Sequence, residues 1–183
     1  MRHIPNILSA FRILLIGVFA WLFRAGKYLP ALCAYVLAFL TDVLDGQLAR
    51  RYGWVTDLGK LLDPLADKLM TVAALVCIYF GKMRTIYLVL FLLVLFKELL
   101  MLIGSLFMAR RKVVAYASWP GKLATGLFAA GVALSLLSFL APGIEPWNIV
   151  VLCAATALSY YALFFYATSQ LPRAFGDRRG AAK

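Results

Sequence analysis

Apolar runs of about 20 residues, each closed by glycine, proline or charge, follow one another along the chain. They predict helical spans at 7–23, 29–49, 59–80, 85–109, 121–141 and 147–170. A hydrocarbon layer about 30 Å thick takes roughly 20 residues per helix, so 183 residues hold six such spans and short connections. The fold class that follows is all-α, an integral membrane bundle of six transmembrane helices. No repeat, low-complexity stretch or linker interrupts the pattern. Met1-Arg2-His3-Ile4-Pro5-Asn6 leads into the first run without a clean small-residue cleavage site, so that run is expected to stay as the first helix.

Composition narrows the class further. Hydrophobic residues make up 64% of the chain and mean hydropathy is +0.88, which excludes a soluble globular domain. The net charge of +11 does not sit on one soluble face, as nucleic-acid binding would need. It falls in short loops and the tail, where it suits anionic headgroups and topology control. With the N-terminus inside, one side of the membrane receives Arg50, Arg51, Arg110, Arg111, Lys112, Lys122 and the tail residues Arg173, Arg178, Arg179 and Lys183. The other side receives Arg24, Lys27, Lys82 and Arg84 with Glu145. The bias predicts both termini in the cytoplasm. Cys33, Cys77 and Cys153 are far apart in apolar runs and are expected to be small buried hydrophobes. The aromatic set Tyr160, Tyr161, Phe164, Phe165 and Tyr166 of the last span is expected to face lipid and the interface.

Acidic residues break the apolar pattern in one place. Five of the eight in the chain, Asp42, Asp45, Asp57, Asp63 and Asp67, lie between the end of the second span and the start of the third. An ionised carboxylate near hydrocarbon costs several kcal/mol, so a cluster of them requires counter-charge. Arg50, Arg51, Lys60 and Lys68 are near in sequence, but divalent metal neutralises four carboxylates more economically. Asp42 and Asp45 are three residues apart and Asp63 and Asp67 four, so each pair projects from one helix face. Two such faces meeting at a helical hairpin form an oxygen-only donor set, which favours hard cations such as Mg²⁺ or Mn²⁺. Four carboxylates suffice for two bridged ions, an arrangement that clamps a phosphoryl group. Gly46, Ala49 and Gly59 leave room beside them. Pro64 is expected in the early turns of its span, where a missing N–H is tolerated. Asp57 reads as a loop or cap residue and Arg51 as a topology determinant. Membrane acids also mark ion routes, so a divalent cation transporter is the alternative from another class.

Asp42, Asp45, Gly46, Ala49, Arg50, Gly59, Asp63 and Asp67 spell D-x-x-D-G-x-x-A-R, eight residues, then G-x-x-x-D-x-x-x-D. In this the chain resembles the CDP-alcohol phosphatidyltransferase family at every fixed position of its signature. The opening Ile4-Pro5-Asn6-Ile7-Leu8-Ser9-Ala10-Phe11-Arg12 is similar to the start of that family's first helix, and Gly59 to Lys68 resembles its phosphatidylglycerophosphate synthase branch. The resemblance implies a six-helix membrane domain over 1–171, with 172–183 a basic cytoplasmic tail. It implies two Mg²⁺ or Mn²⁺ ions held by Asp42, Asp45, Asp63 and Asp67, with Asp67 also the catalytic base. CDP-diacylglycerol would meet Gly46, Ala49, Arg50 and Gly59, with Asn6 beside them.

The acceptor implied is glycerol 3-phosphate, an anion for which Lys97, Arg110, Arg111, Lys112 and Lys122 are the available cations. The product would be phosphatidylglycerophosphate, with CMP released. Two departures bear on the acceptor. Lys97-Glu98 stands where the branch commonly has Arg-Glu, and Gly121-Lys122-Leu123-Ala124-Thr125 where it has Gly-Lys-x-Lys-Thr. Phosphatidylglycerol (as in a cardiolipin synthase) and inositol phosphate are therefore alternative acceptors. Lys97 and Glu98, adjacent on a helix, are expected not to pair mainly with each other. The compact length suits a bacterial inner membrane, and a homodimer is left open.

Overall fold

In the computed structural model, residues 4–52, 57–110 and 119–169 are described. They form six helices: α1 (Ile4–Arg24), α2 (Tyr28–Tyr52), α3 (Asp57–Lys82), α4 (Thr85–Arg110), α5 (Trp119–Leu137) and α6 (Glu145–Ser169). A single 3-10 turn, Pro142–Ile144, precedes α6. No strand occurs among the described residues, and the all-α class holds. By length and composition α4, α5 and α6 can each cross a membrane, and α2 contains a shorter apolar stretch, Tyr28–Val43. The tail 172–183 lies outside the described residues.

The turns follow from local chemistry. Gly26 adopts φ 72°, and its N–H donates to the Phe23 carbonyl while Lys27 N–H donates to that of Leu22. This closes α1 with a left-handed glycine cap that a Cβ would disfavour. Met83, at φ 50°, carries the tight turn from α3 to α4. The predicted fifth span ran to residue 141; the helix stops at Leu137, where Ser138–Leu140 turn and Pro142 opens the 3-10 segment. Pro64 is the eighth residue of α3 rather than in its opening turns, because α3 starts two residues before the predicted span. Its ring leaves the Lys60 carbonyl without the usual amide partner.

The chain divides into two units. One comprises residues 1–88 with 132–148. Here α1 packs on both α2 and α3. Its buried stripe is Arg12, Phe19 and Phe23; that of α2 is Ala31, Ala34, Tyr35 and Ala38; that of α3 is Ala66, Met70, Ala74, Leu75 and Ile78. These follow the three-and-four spacing of one helix face. The alanines let the backbones approach, which is how helices gain contact where lipid removes the usual hydrophobic drive. One end of this unit is closed by aromatic rings. Phe23 stands 5.2 Å from Phe139 and 5.4 Å from Tyr28, and Tyr28 stacks on Phe139 at 4.6 Å.

The second unit comprises residues 89–131 and 149–183. Leu92, Leu93, Phe96, Leu99, Leu102 and Ile103 of α4 are exposed, as lipid-facing side chains would be. Tyr160 of α6 donates its hydroxyl to the Leu93 carbonyl at 2.8 Å. Tyr161, Phe164 and Phe165 are exposed as expected, whereas Tyr166 is buried and Tyr160 is half-buried. The cysteines are free, with Cys33 and Cys153 exposed and Cys77 half-buried. They are not core residues: an apolar run inside a membrane protein serves lipid as readily as packing.

Candidate functional site

The core stripes of α2 and α3 run directly into the acidic motif. On α2 the positions Ala31, Tyr35, Ala38 and Asp42 continue in register to Asp45 and Ala49. On α3, Gly59, Asp63, Ala66 and Met70 share one register, with Asp67 beside Ala66. The motif therefore occupies the prolongation of the faces that pack against α1.

Depth agrees with register. Arg12 lies 12 residues before the end of α1, Asp42 lies 14 after the start of α2, and Asp67 lies 15 before the end of α3. At 1.5 Å per residue these are about 18, about 21 and about 23 Å from the aromatic-closed end. That common end is real, because a Cβ built on Gly81 near the end of α3 would meet the Phe23 ring of α1 at 2.8 Å. Three charged side chains from three helices thus share one level.

The described side chains show how this level is wired. Arg12 is fully buried, and its Nη1 lies 2.8 Å from Asp42 Oδ1, with the Asp42 side chain 32% exposed. A buried guanidinium is costly without an anion, and Asp42 supplies one. Asp67 is exposed and lies within electrostatic reach of the buried Tyr35 of α2. The backbones of Asn6, Asp45, Gly46, Ala49, Arg50, Gly59, Asp63 and Arg110 are helical, but their side chains lie outside the described residues, and Arg111 and Lys112 lie outside them altogether.

Two of the expected acceptor cations are described. Lys97 Nζ pairs with Glu98 Oε1, two neighbours that were not expected to pair mainly with each other. Both side chains are mostly shielded, at 18% and 25% exposure, and a long flexible stem can bend to its neighbour when water is scarce. Lys122 is exposed near the start of α5, with Nζ 5.9 Å from the centre of the Trp119 ring.

The sequence pattern missed Arg12 as a site residue, although an arginine inside an apolar run, seven residues before Phe19, was a usable signal. It also missed a polar network at the opposite end of the same unit. Arg84 Nη1 donates to Glu145 Oε1 at 3.0 Å, and Lys82 Nζ lies 3.5 Å from Glu145 Oε2. Lys82 Nζ also donates to the Ser138 carbonyl at 3.4 Å and lies over the Phe139 ring. Lys82, Arg84 and Glu145 had been read only as loop charges.

The donor chemistry fits a hard divalent cation. Every candidate ligand on these two faces is a carboxylate, and the Asp42 and Asp67 side chains are both solvent-accessible at one depth. Such a set can hold cations beside a phosphate and leave a carboxylate to take a proton.

Comparison with known proteins completes the picture. Residues 2–171 match the family model described as CDP-alcohol phosphatidyltransferase. A CDP-diacylglycerol--glycerol-3-phosphate 3-phosphatidyltransferase of Aquifex aeolicus is 36% identical over 136 residues, covering 74% of this chain and 74% of that protein. A probable phosphatidylglycerophosphate synthase of Mycobacterium tuberculosis is 31% identical over 188 residues, covering 100% of this chain and 88% of its own. A cardiolipin synthase (CMP-forming) of Streptomyces coelicolor is 37% identical over 109 residues, 56% of this chain and 51% of that one.

Proposed function

Since the chain belongs to the CDP-alcohol phosphatidyltransferase family and is a membrane-embedded enzyme of that type, we propose that it transfers a phosphatidyl group from CDP-diacylglycerol to glycerol 3-phosphate. The products are phosphatidylglycerophosphate and CMP. The observation that carries this is the complete carboxylate motif lying in register with the α1-facing stripes of α2 and α3. The relatives from Aquifex aeolicus and Mycobacterium tuberculosis, named for that reaction, support the acceptor.

In this reading Asp42, Asp45, Asp63 and Asp67 hold two Mg²⁺ or Mn²⁺ ions. Ions bound there would supply positive charge to neutralise the pyrophosphate and the leaving CMP. Gly46, Ala49, Arg50 and Gly59, with Asn6, receive the CDP headgroup where small residues admit it. Asp67, whose side chain is exposed, takes the proton from the acceptor hydroxyl. The acceptor oxygen forms a bond to the lipid-bearing phosphorus as the bond to the CMP oxygen breaks. Arg110, Arg111, Lys112, Lys122 and Lys97 are the cations available to the acceptor phosphate. The site faces the cytoplasm, the side that the basic loops mark, and the membrane is the bacterial inner membrane.

A second acceptor has one specific support. The Streptomyces coelicolor relative is named a cardiolipin synthase, and Ala124 stands where the phosphatidylglycerophosphate synthase branch commonly carries a second lysine. With fewer cations, an acceptor such as phosphatidylglycerol gains ground. Purified protein given CDP-diacylglycerol and, separately, labelled glycerol 3-phosphate, phosphatidylglycerol and inositol phosphate decides between them. Lipid product from glycerol 3-phosphate alone is expected; product only from phosphatidylglycerol replaces this reading with the second.

A further inference from the structure

We propose that Arg12 is a positioning residue for the transfer reaction, orienting the Asp42 carboxylate for the divalent cation. The inference rests on the metal role of Asp42 given above. Arg12 is the one charged side chain on the buried stripe it shares with Phe19 and Phe23, and it has no exposed surface. Packing on α1 therefore fixes where its guanidinium sits. Its Nη1 lies 2.8 Å from Asp42 Oδ1, while the Asp42 side chain keeps 32% exposure, so the same carboxylate is approached from the core and still partly accessible. A planar, permanently charged fork restricts the rotamer of a carboxylate in a way that a point charge does not. Groups that orient a metal ligand from behind commonly alter affinity by 10-fold to 100-fold when removed.

Two roles for this arginine predict opposite signs. If Arg12 merely supplied positive charge, removing it would leave Asp42 more attractive to a cation and tighten binding. If Arg12 orients Asp42, removing it loosens binding although a repulsive charge has gone. The burial of the guanidinium and its 2.8 Å approach to Asp42 favour orientation.

The test is Mn²⁺ binding by the full chain in nanodiscs, without substrate, followed by electron paramagnetic resonance of the free ion and paired with thermal unfolding. Arg12→Met is expected to weaken Mn²⁺ binding about 10-fold or more. Arg12→Lys, which keeps the charge and loses the fork, is expected to weaken it several-fold at nearly unchanged unfolding temperature. Unchanged or tighter binding in Arg12→Met overturns the proposal. Should Arg12→Met fail to fold, Arg12→Lys decides, and wild-type affinity there overturns it. Asp42→Asn separates the two levels of the account. If it binds Mn²⁺ as the wild type does, the metal role of Asp42 fails; if it loses the ion while both Arg12 variants keep it, only the role of Arg12 fails.

Discussion

Asn148 and Tyr87 meet in the interior: Asn148 Nδ2 donates to the Tyr87 hydroxyl at 3.1 Å, and both residues are fully buried. The same amide nitrogen lies 3.4 Å from Ser138 Oγ, which itself donates to the Ser135 carbonyl at 2.7 Å. One side chain at the start of α6 thereby ties the start of α4 to the end of α5. Asn148→Ala should lower stability by about 0.6–2 kcal/mol, the range for hydrogen bonds between membrane helices. Thermal unfolding in detergent checks this. Turnover well below the transition should be unchanged, because these residues sit at the end of the unit away from Asp42 and Asp67.

Gly81 sits where no larger residue fits. A Cβ there would lie 2.6 Å from Phe139 Cζ and 2.8 Å from Phe23 Cζ. Those rings are themselves locked against Tyr28, so they cannot simply swing aside. Gly81→Ala should cost about 1–3 kcal/mol through overpacking, again read as a drop in unfolding temperature.

Glu145 serves two cations of unequal burial. Arg84 is 57% exposed and Lys82 only 13%. Arg84→Gln should change stability by no more than about 0.5 kcal/mol, as exposed pairs do, and less in high salt. Glu145→Gln removes the anion beside the shielded ammonium of Lys82, which keeps the Ser138 carbonyl and the Phe139 ring, and should cost about 1–2 kcal/mol, between the ranges for exposed and buried pairs. Equal effects of the two substitutions, measured side by side, would contradict this ordering.

Asp67→Asn removes the proposed base with little change of shape. Turnover should fall roughly 10²-fold to 10⁴-fold, the usual contribution of proton transfer by a positioned group. Equilibrium binding of CDP-diacylglycerol should largely persist. Near-normal turnover in this variant would remove Asp67 from that role.

The sequence made some of this legible and concealed the rest for physical reasons. The six helices were readable because hydrocarbon demands long apolar runs with their backbone bonds satisfied internally. The Asp42 to Asp67 motif was readable because carboxylates stand out against such runs. Which apolar faces meet protein and which meet lipid was not readable, since both are served by the same residues; hence the exposed Cys33 and Cys153 and the buried Tyr166. The Arg12–Asp42 pair joins residues 30 apart, and Arg84–Glu145 joins residues 61 apart. Pairings of that separation depend on helix packing, which no local spacing reports. Lys97 and Glu98 meet although adjacent, because side-chain length overcomes the divergence of neighbouring positions.

The most direct trial of the account is CMP release from CDP-diacylglycerol by the purified wild-type chain with glycerol 3-phosphate, before and after chelation. Release should stop when divalent ions are stripped and return when Mg²⁺ or Mn²⁺ is restored, with one phosphatidylglycerophosphate formed per CMP. Release at full rate in the presence of excess chelator would contradict the account at its centre.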